Sequence, residues 1–142
     1  MNFPFDKTIL QEEETEKLAK SFAKELQPGQ VVVLNGELGA GKTFFIKYAV
    51  TVWGITTASS PSFTIVNIYY GDQRIYHFDF YRLQNKEELF DIGFNDYLND
   101  PEAIIFIEWG NLIPEILPKS RIEINISTLK NSSRNFGFVK YD

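Results

Sequence analysis

A complete phosphate-binding loop is the feature that most restricts what this chain can fold into. Residues 36–43 read Gly-Glu-Leu-Gly-Ala-Gly-Lys-Thr and match the pattern G-x-x-x-x-G-K-[ST]. An apolar run over residues 31–34 precedes the loop, and an apolar segment of helical spacing over residues 44–53 follows it. A strand, a glycine-rich turn and a helix in this order direct backbone N–H groups and the positive end of a helix dipole into one concavity. The pattern therefore predicts a binding site for a nucleoside triphosphate.

The residues of this loop have separate predicted roles. Lys42 supplies a point charge for the β- and γ-phosphates, and the hydroxyl of Thr43 is placed for Mg²⁺. The predicted nucleotide-binding residues of this segment are Gly36, Leu38, Gly39, Ala40, Gly41, Lys42, Thr43 and Phe44. By itself, the loop leaves kinase, GTPase and ATPase activities open.

Composition narrows the class of protein further. The 142 residues, of which 44% are hydrophobic, predict one domain (residues 1–142) with a single core. The first seven residues lack the features of a signal peptide and no apolar stretch reaches membrane-spanning length, so we expect a cytoplasmic protein without membrane contact. The absence of cysteine excludes disulfides and cysteine metal sites. A net charge of −5 with few arginines disfavours strong nucleic-acid binding by this chain alone.

Hydrophobic periodicity predicts a mixture of helices and strands. The predicted helices cover residues 12–26, 44–53 and 86–92, and the predicted strands cover residues 30–35, 63–70, 74–80, 103–107, 121–128 and 136–141. The first and fourth of these strands are almost wholly apolar, which is typical of parallel strands buried on both faces. The second and third form a predicted hairpin, and the last two form a predicted antiparallel pair.

Two acidic residues stand where a phosphate loop needs a second carboxylate. Glu108 ends an apolar strand and is expected beside the loop, where such enzymes hold the Mg²⁺ shell or orient water. Asp79 is expected on one strand face with His77 and Tyr81, and either accepts a hydrogen bond from the attacking water or shares the Mg²⁺ shell. Lys42, Asp79 and Glu108 are therefore the predicted catalytic residues.

Three neighbouring polar features have less specific interpretations. His77 is the only histidine of the chain, and we interpret it as a structural residue rather than a catalyst. Arg82 either serves a phosphate or pairs with an acid, and pairing is the simpler interpretation. Residues 59–62, Ser-Ser-Pro-Ser, are either a solvated turn or a segment with a hydroxyl that senses the γ-phosphate.

In this order and spacing, the motifs resemble those of the TsaE (YjeE) family, ATPases of tRNA threonylcarbamoyladenosine biosynthesis. The resemblance covers nearly the whole chain. It depends on the phosphate loop within residues 34–43, Ser-Pro-Ser-Phe at 60–63, His-x-Asp-x-Tyr-Arg-Leu at 77–83, Asn-x-Glu-Glu-Leu at 85–89 and Glu-Trp at 108–109.

The resemblance implies a fold, ligands and partners. The implied fold is a single-domain α/β P-loop NTPase with a mixed, mostly parallel central sheet flanked by helices and a C-terminal antiparallel hairpin. The implied ligands are ATP and Mg²⁺. The implied partner is the TsaB–TsaD pair, in which TsaD transfers the threonylcarbamoyl group to adenosine 37 of tRNA. ATP hydrolysis would regulate or reset that complex, and tRNA contact would fall mainly to the partners.

The same resemblance implies roles for individual residues. Thr43 and Glu108 would be the Mg²⁺ ligands, Asp79 a hydrolysis-related acid and Trp109 its neighbour in the site, and Arg134 would lie near the nucleotide. Position 62 is serine where the family usually has threonine. The hydroxyl is kept, but the methyl group that restricts its rotamers is lost, which weakens a switch role for Ser62.

Two alternative functions stay open on the sequence. One is a nucleotide-dependent binding module with negligible hydrolysis of its own, since no obvious arginine finger in cis is present and the isolated chain is expected to hydrolyse slowly. The other is a small-molecule kinase, which is disfavoured because the chain is poor in arginine and has no long insertion that could serve as a lid.

Overall fold

The structure, a computed structural model, describes residues 1–61 and 64–142. Its strands are β1 (Phe5–Ile9), β2 (Val31–Gly36), β3 (Val66–Tyr70), β4 (Arg74–Asp79), β5 (Ala103–Glu108), β6 (Arg121–Thr128) and β7 (Arg134–Tyr141). Its helices are α1 (Glu12–Lys24), α2 (Lys42–Val50), α3 (Glu87–Asp91) and α4 (Phe94–Leu98). The possible switch hydroxyl of Ser62 lies outside the described residues.

Within the part of the chain that the structure describes, the seven strands form one sheet in the order β1-β7-β6-β2-β5-β4-β3. The four central strands, β6, β2, β5 and β4, are parallel, whereas β1, β7 and β3 pair antiparallel at the two sides. β6 and β7 are the expected C-terminal hairpin. The predicted fold class, an α/β fold with a mixed sheet that is parallel at its centre, is confirmed.

Parallel pairing brings the ends of three central strands to the same level. Leu34 of β2 is in register with Glu108 of β5, and Glu108 is in register with Asp79 of β4. Because the phosphate loop leaves β2 at this edge, both predicted acids lie beside it. This is the edge at which open α/β sheets bind their ligands.

The sheet is buried on both faces because helices cover each side. On β2, Val32 and Leu34 face the cluster beneath α1 and α2, and Val31 and Val33 face the cluster beneath α3 and α4. This alternation within one apolar run is what a strand between two helical layers requires. Among the described residues, no helix combines the length and apolar composition needed to cross a membrane.

Several element boundaries differ from the sequence prediction. β1 and α4 were not predicted: the three central residues of β1 are polar and exposed, so β1 shows no alternation of apolar and polar residues, and α4 is a single short helix of five residues. The strand predicted to reach residue 80 ends at Asp79, whose Oδ1 accepts a hydrogen bond from the backbone N–H of Tyr81 at 3.0 Å. The carboxylate thereby caps a single 3-10 turn at residues 80–82. The prediction that Tyr81 shares the strand face of Asp79 is therefore wrong.

An aromatic cluster attaches α2, and with it the phosphate loop, to the sheet. Phe45 of α2 is fully buried, and its ring centroid lies 5.7 Å from that of Phe136, 5.9 Å from Phe22 and 6.1 Å from Phe138. Such ring pairs add to the free energy gained from burial. The position of the loop therefore depends on the packing of Phe45, which lies in α2 two residues after Thr43.

The substitution Phe45→Ala is expected to lower the free energy of unfolding by about 3–5 kcal/mol, because it leaves a cavity among three other rings. The adjacent Phe44→Ala is the matched control, since the Phe44 side chain is 54% exposed, and it should cost less than about 1 kcal/mol. Urea unfolding of both variants measures the difference. Equal losses would contradict the assignment of Phe45 as the residue that holds α2.

Candidate nucleotide site

The turn between β2 and α2 has the backbone geometry of an anion-binding loop. Gly39 and Gly41 have φ angles of +79° and +108°, a region that residues with a Cβ rarely adopt. A Cβ on Gly36 would lie 2.9 Å from the carbonyl oxygen of Ile126 on β6. The glycines are therefore required by conformation and by close approach, and Gly41 is the residue immediately before α2.

Lys42 is held inside this loop by backbone carbonyls and by an aromatic ring. Its Nζ donates hydrogen bonds to the carbonyl oxygens of Gly36 at 2.6 Å and Glu37 at 2.9 Å. The ammonium group also lies 4.1 Å from the centre of the Trp109 ring, within range of a cation–π interaction. Burial lowers the pKa of Lys42, and the charges of Glu108 and Asp79 oppose that shift.

Thr43 and Glu108 are in direct contact across the site. The Thr43 Oγ1 lies 2.9 and 3.0 Å from the two carboxylate oxygens of Glu108, which is only 3% exposed. A hydroxyl and a carboxylate are the hard oxygen ligands that Mg²⁺ prefers, and proteins usually supply only one or two of them beside the phosphates. Among the described residues, no three His, Cys, Asp or Glu side chains form a complete metal cage. Thr43 and Glu108 therefore fit Mg²⁺ held jointly with a phosphate group.

Asp79 is the second buried carboxylate of the site. Its Oδ2 accepts a hydrogen bond from the Ser60 hydroxyl at 3.1 Å and lies 3.7 Å from Nε of Arg82. Burial raises the pKa of Asp79 and the nearby charge of Glu108 raises it further, whereas the bonds from Tyr81 and Ser60 and the charge of Arg82 oppose the shift. A buried carboxyl with a raised pKa is suited to accept a proton.

One cavity of about 280 Å³ brings most of the predicted site residues together. The predicted residues that line it are Leu38, Gly39, Gly41, Lys42, Thr43, Phe44, Asp79, Glu108 and Trp109. Gly36 and Ala40 do not line the cavity and instead pack beneath the loop, where a Cβ on Gly36 would lie 3.1 Å from that of Ala40. The predicted acids, lysine and threonine thus share one space.

Arg134 lies on the other side of the loop from the two acids. Its Nη2 donates a hydrogen bond to the carbonyl oxygen of Gly39 at 3.1 Å. It lines a separate cavity of about 340 Å³ with Phe44, Tyr48 and residues 9–12. The antiparallel return of β7 places this arginine, which is 92 residues after Lys42 in the chain, against the loop.

Four residues that the sequence analysis discussed without counting them among the predicted site residues also belong to this site, and the first of them is Ser60, which lines the cavity. Tyr81 and Arg82 line the cavity with the acids, and the Tyr81 ring packs on Trp109 with centroids 4.9 Å apart. His77 is fully buried, as expected of a structural residue, yet its Nε2 lies 2.6 Å from Oε2 of Glu108. The sequence signal for His77, Tyr81 and Arg82 was their place within two or three residues of Asp79.

Comparison with known proteins agrees with this geometry. Residues 9–136 match the family model described as threonylcarbamoyl adenosine biosynthesis protein TsaE. A Rickettsia conorii protein named tRNA threonylcarbamoyladenosine biosynthesis protein TsaE is 42% identical over 130 residues, or 89% of this chain and 73% of that protein. A Bacillus subtilis protein of the same name is 39% identical over 129 residues, or 89% of this chain and 80% of that protein.

A solved structure shows the same fold. The crystal structure of Bacillus subtilis YdiB superimposes with a TM-score of 0.82 at 32% sequence identity, covering 100% of this chain and 88% of that chain. The match of the family model extends from the end of β1 to the start of β7 and so includes the loop, both acids and Arg134. This chain belongs to the TsaE family of threonylcarbamoyl adenosine biosynthesis proteins.

Proposed function

We propose that this protein is a cytoplasmic ATPase of tRNA N6-threonylcarbamoyladenosine biosynthesis, which uses ATP with Mg²⁺ to regulate or reset a TsaB–TsaD complex. The observation that carries the proposal is the contact between Thr43 and Glu108, beside Lys42 and Asp79, in one cavity at the phosphate loop. Family membership supplies the pathway. The geometry supports the use of a nucleoside triphosphate within it.

Each part of the site would act on a different part of the nucleotide. The loop N–H groups and Lys42 would bind the phosphates, because both offer hydrogen-bond donors at a helix N-terminus. Bound Mg²⁺ would neutralise the charge that develops on the phosphate oxygens. Thr43 and Glu108 would hold it, and Asp79, with its raised pKa, would orient a water molecule for attack.

The second cavity is a suitable place for the nucleoside. It adjoins the loop at Phe44 and Arg134, and residues 9–12 form its far wall. Within it the Tyr48 hydroxyl donates a hydrogen bond of 2.5 Å to Glu12, which raises the pKa of Tyr48 to about 12. A partly exposed aromatic ring beside a polar wall suits a base that stacks and accepts hydrogen bonds.

Exposed apolar side chains around the cavity support a role for partner proteins. Leu38, Phe44 and Tyr81 line the cavity, and each is at least half exposed. Apolar groups grouped at one site are typical of a surface that another protein covers. The net charge of −5 supports contact with tRNA through the partners rather than directly.

The substitution Lys42→Ala is expected to weaken ATP binding about 10- to 100-fold, because it removes a charge-assisted hydrogen bond to phosphate. Lys47→Ala is the matched control, since Lys47 lies in the same helix but outside the cavity. Calorimetric titration with ATP in the presence of Mg²⁺ measures both affinities. Equal affinities would remove the loop from the proposed site.

The substitution Asp79→Asn is expected to slow ATP hydrolysis about 100-fold or more while raising stability at neutral pH. The folded-state pKa of Asp79 lies above its usual value of 3.8. The stability that Asp79 contributes is therefore present at low pH and is lost as the pH rises through the raised pKa. The free energy of unfolding of the asparagine variant, relative to the parent, should therefore increase as the pH rises from about 3.5 towards 7. Urea unfolding of both proteins across that range measures this difference. A difference that stays constant with pH would contradict the raised pKa of Asp79.

Single-turnover ATP hydrolysis, measured with and without a TsaB–TsaD pair, tests the partnership. We expect slow hydrolysis by the isolated chain and at least about tenfold faster hydrolysis with the partners, since stabilising groups supplied in trans can raise such rates by about 10³-fold or more. Glu108→Ala should abolish the increase. Nucleotide binding without any effect of the partners on hydrolysis would instead favour a simple nucleotide-dependent binding module.

A further inference from the structure

A buried chain of hydrogen bonds stands behind Glu108. His77 is fully buried, with Nε2 2.6 Å from Oε2 of Glu108 and Nδ1 2.9 Å from the Tyr69 hydroxyl oxygen. The Tyr69 hydroxyl in turn lies 2.7 Å from the carbonyl oxygen of Ser59 and 3.1 Å from its backbone nitrogen. The chain therefore runs from the candidate Mg²⁺ ligand to the backbone of the segment before Pro61.

The protons of this chain allow one direction of donation. Ser59 N–H donates to the Tyr69 oxygen, and the single hydroxyl proton of Tyr69 has two acceptors in reach, the Ser59 carbonyl oxygen and Nδ1 of His77. The Glu108 carboxylate can only accept, so Nε2 of His77 carries a proton and donates to it. In this tautomer Nδ1 is an acceptor, and the Tyr69 hydroxyl donates to it. Burial raises the pKa of Tyr69, which keeps its hydroxyl protonated. Tyr69 thereby supports both the orientation of the imidazole ring and the tautomer whose Nε2–H faces Glu108.

The strand pairing makes this arrangement rigid. His77 lies in β4 between β3 and β5, in register with Asn67 on one side and Phe106 on the other. Tyr69 comes from the neighbouring strand β3 and packs on the His77 ring with centroids 5.9 Å apart. A side chain fixed on a central strand holds its partner more exactly in place than one on a loop.

Both acids of the site depend on one short segment. The backbone of Ser59 supports Glu108 through Tyr69 and His77, and the hydroxyl of Ser60 donates directly to Asp79 at 3.1 Å. Groups that hydrogen-bond a metal ligand from behind fix its orientation and its affinity for the metal. Thr43 cannot fill this role, because its hydroxyl is itself expected to bind the cation.

We propose that His77 and Tyr69 are positioning residues that hold the Glu108 carboxylate in the orientation that takes Mg²⁺ with the bound nucleotide. The inference rests on the proposed function, since it concerns the same cation. It reassigns His77 from a purely structural residue to one that acts through Glu108. It also gives the edge strand β3 a role in the site, although no residue of that strand lines the cavity.

Tyr69→Phe tests the proposal with the loss of one hydroxyl group. We expect the Mg²⁺ concentration needed for half-maximal strengthening of ATP binding to rise about 10-fold or more. ATP affinity measured in EDTA should stay within about twofold, because the loop itself is untouched. Tyr70→Phe is the matched control, since this neighbour in the same strand is 79% exposed, and it should change neither value.

A pair of variants at His77 separates positioning from packing. His77→Gln keeps a side-chain N–H that can reach Glu108, whereas His77→Leu keeps a comparable volume without any donor. We expect the glutamine variant to need less Mg²⁺ than the leucine variant at equal ATP affinity in EDTA. This rescue is not expected of a residue that only fills space.

The outcomes distinguish this proposal from the proposed function. Unchanged Mg²⁺ dependence in Tyr69→Phe overturns the proposal, and so does an equal loss of ATP affinity with and without Mg²⁺, which indicates a structural role. If the unmodified protein binds ATP without any effect of Mg²⁺, or does not bind ATP, then the proposed function itself fails.

Discussion

The burial of the Glu108 carboxylate is the constraint on which the rest of the site depends. A charged group at the end of a fully apolar strand is costly unless other groups donate hydrogen bonds to it. Here Thr43 approaches from the start of α2 and His77 from the adjacent strand β4. The Glu108 carboxylate therefore connects the phosphate loop, through Thr43, to strand β4, through His77. The positions of the loop and of β4 thus depend on each other.

This arrangement places two carboxylates close enough to affect each other. The charge of Glu108 adds to burial in raising the pKa of Asp79, and both acids partly offset the effect of burial on the Lys42 ammonium group. A cluster of this kind is less stable than an apolar core of similar volume. Buried clusters of charged side chains are common at sites that bind or transform a charged ligand, because groups of the ligand pair with the charges of the protein.

Much of this site could be predicted from sequence because its groups are adjacent to strong local patterns. The loop has a fixed spacing, and Glu108 directly follows an apolar run, which was enough to predict its place beside the loop. Asp79 was expected on a polar strand face, and the parallel pairing of β4 with β5 places it next to Glu108. Tyr69 could not be found in the same way, since nothing near it in sequence marks it as a site residue. Its role depends on the register between β3 and β4 and on the path of residues 59–61, which local patterns do not specify.

By itself, the sequence determined that a phosphate loop lies between a buried strand and a helix, and that two acidic residues, Glu108 and Asp79, belong to the same site. It could do so because backbone conformation, glycine requirements and hydrophobic period are local properties. Only the tertiary structure decided which groups support those acids, that Tyr81 turns away from its strand, and that Arg134 reaches the loop from the last strand. These contacts join residues far apart in the chain or depend on where a strand ends, and only the folded packing of the sheet brings them together.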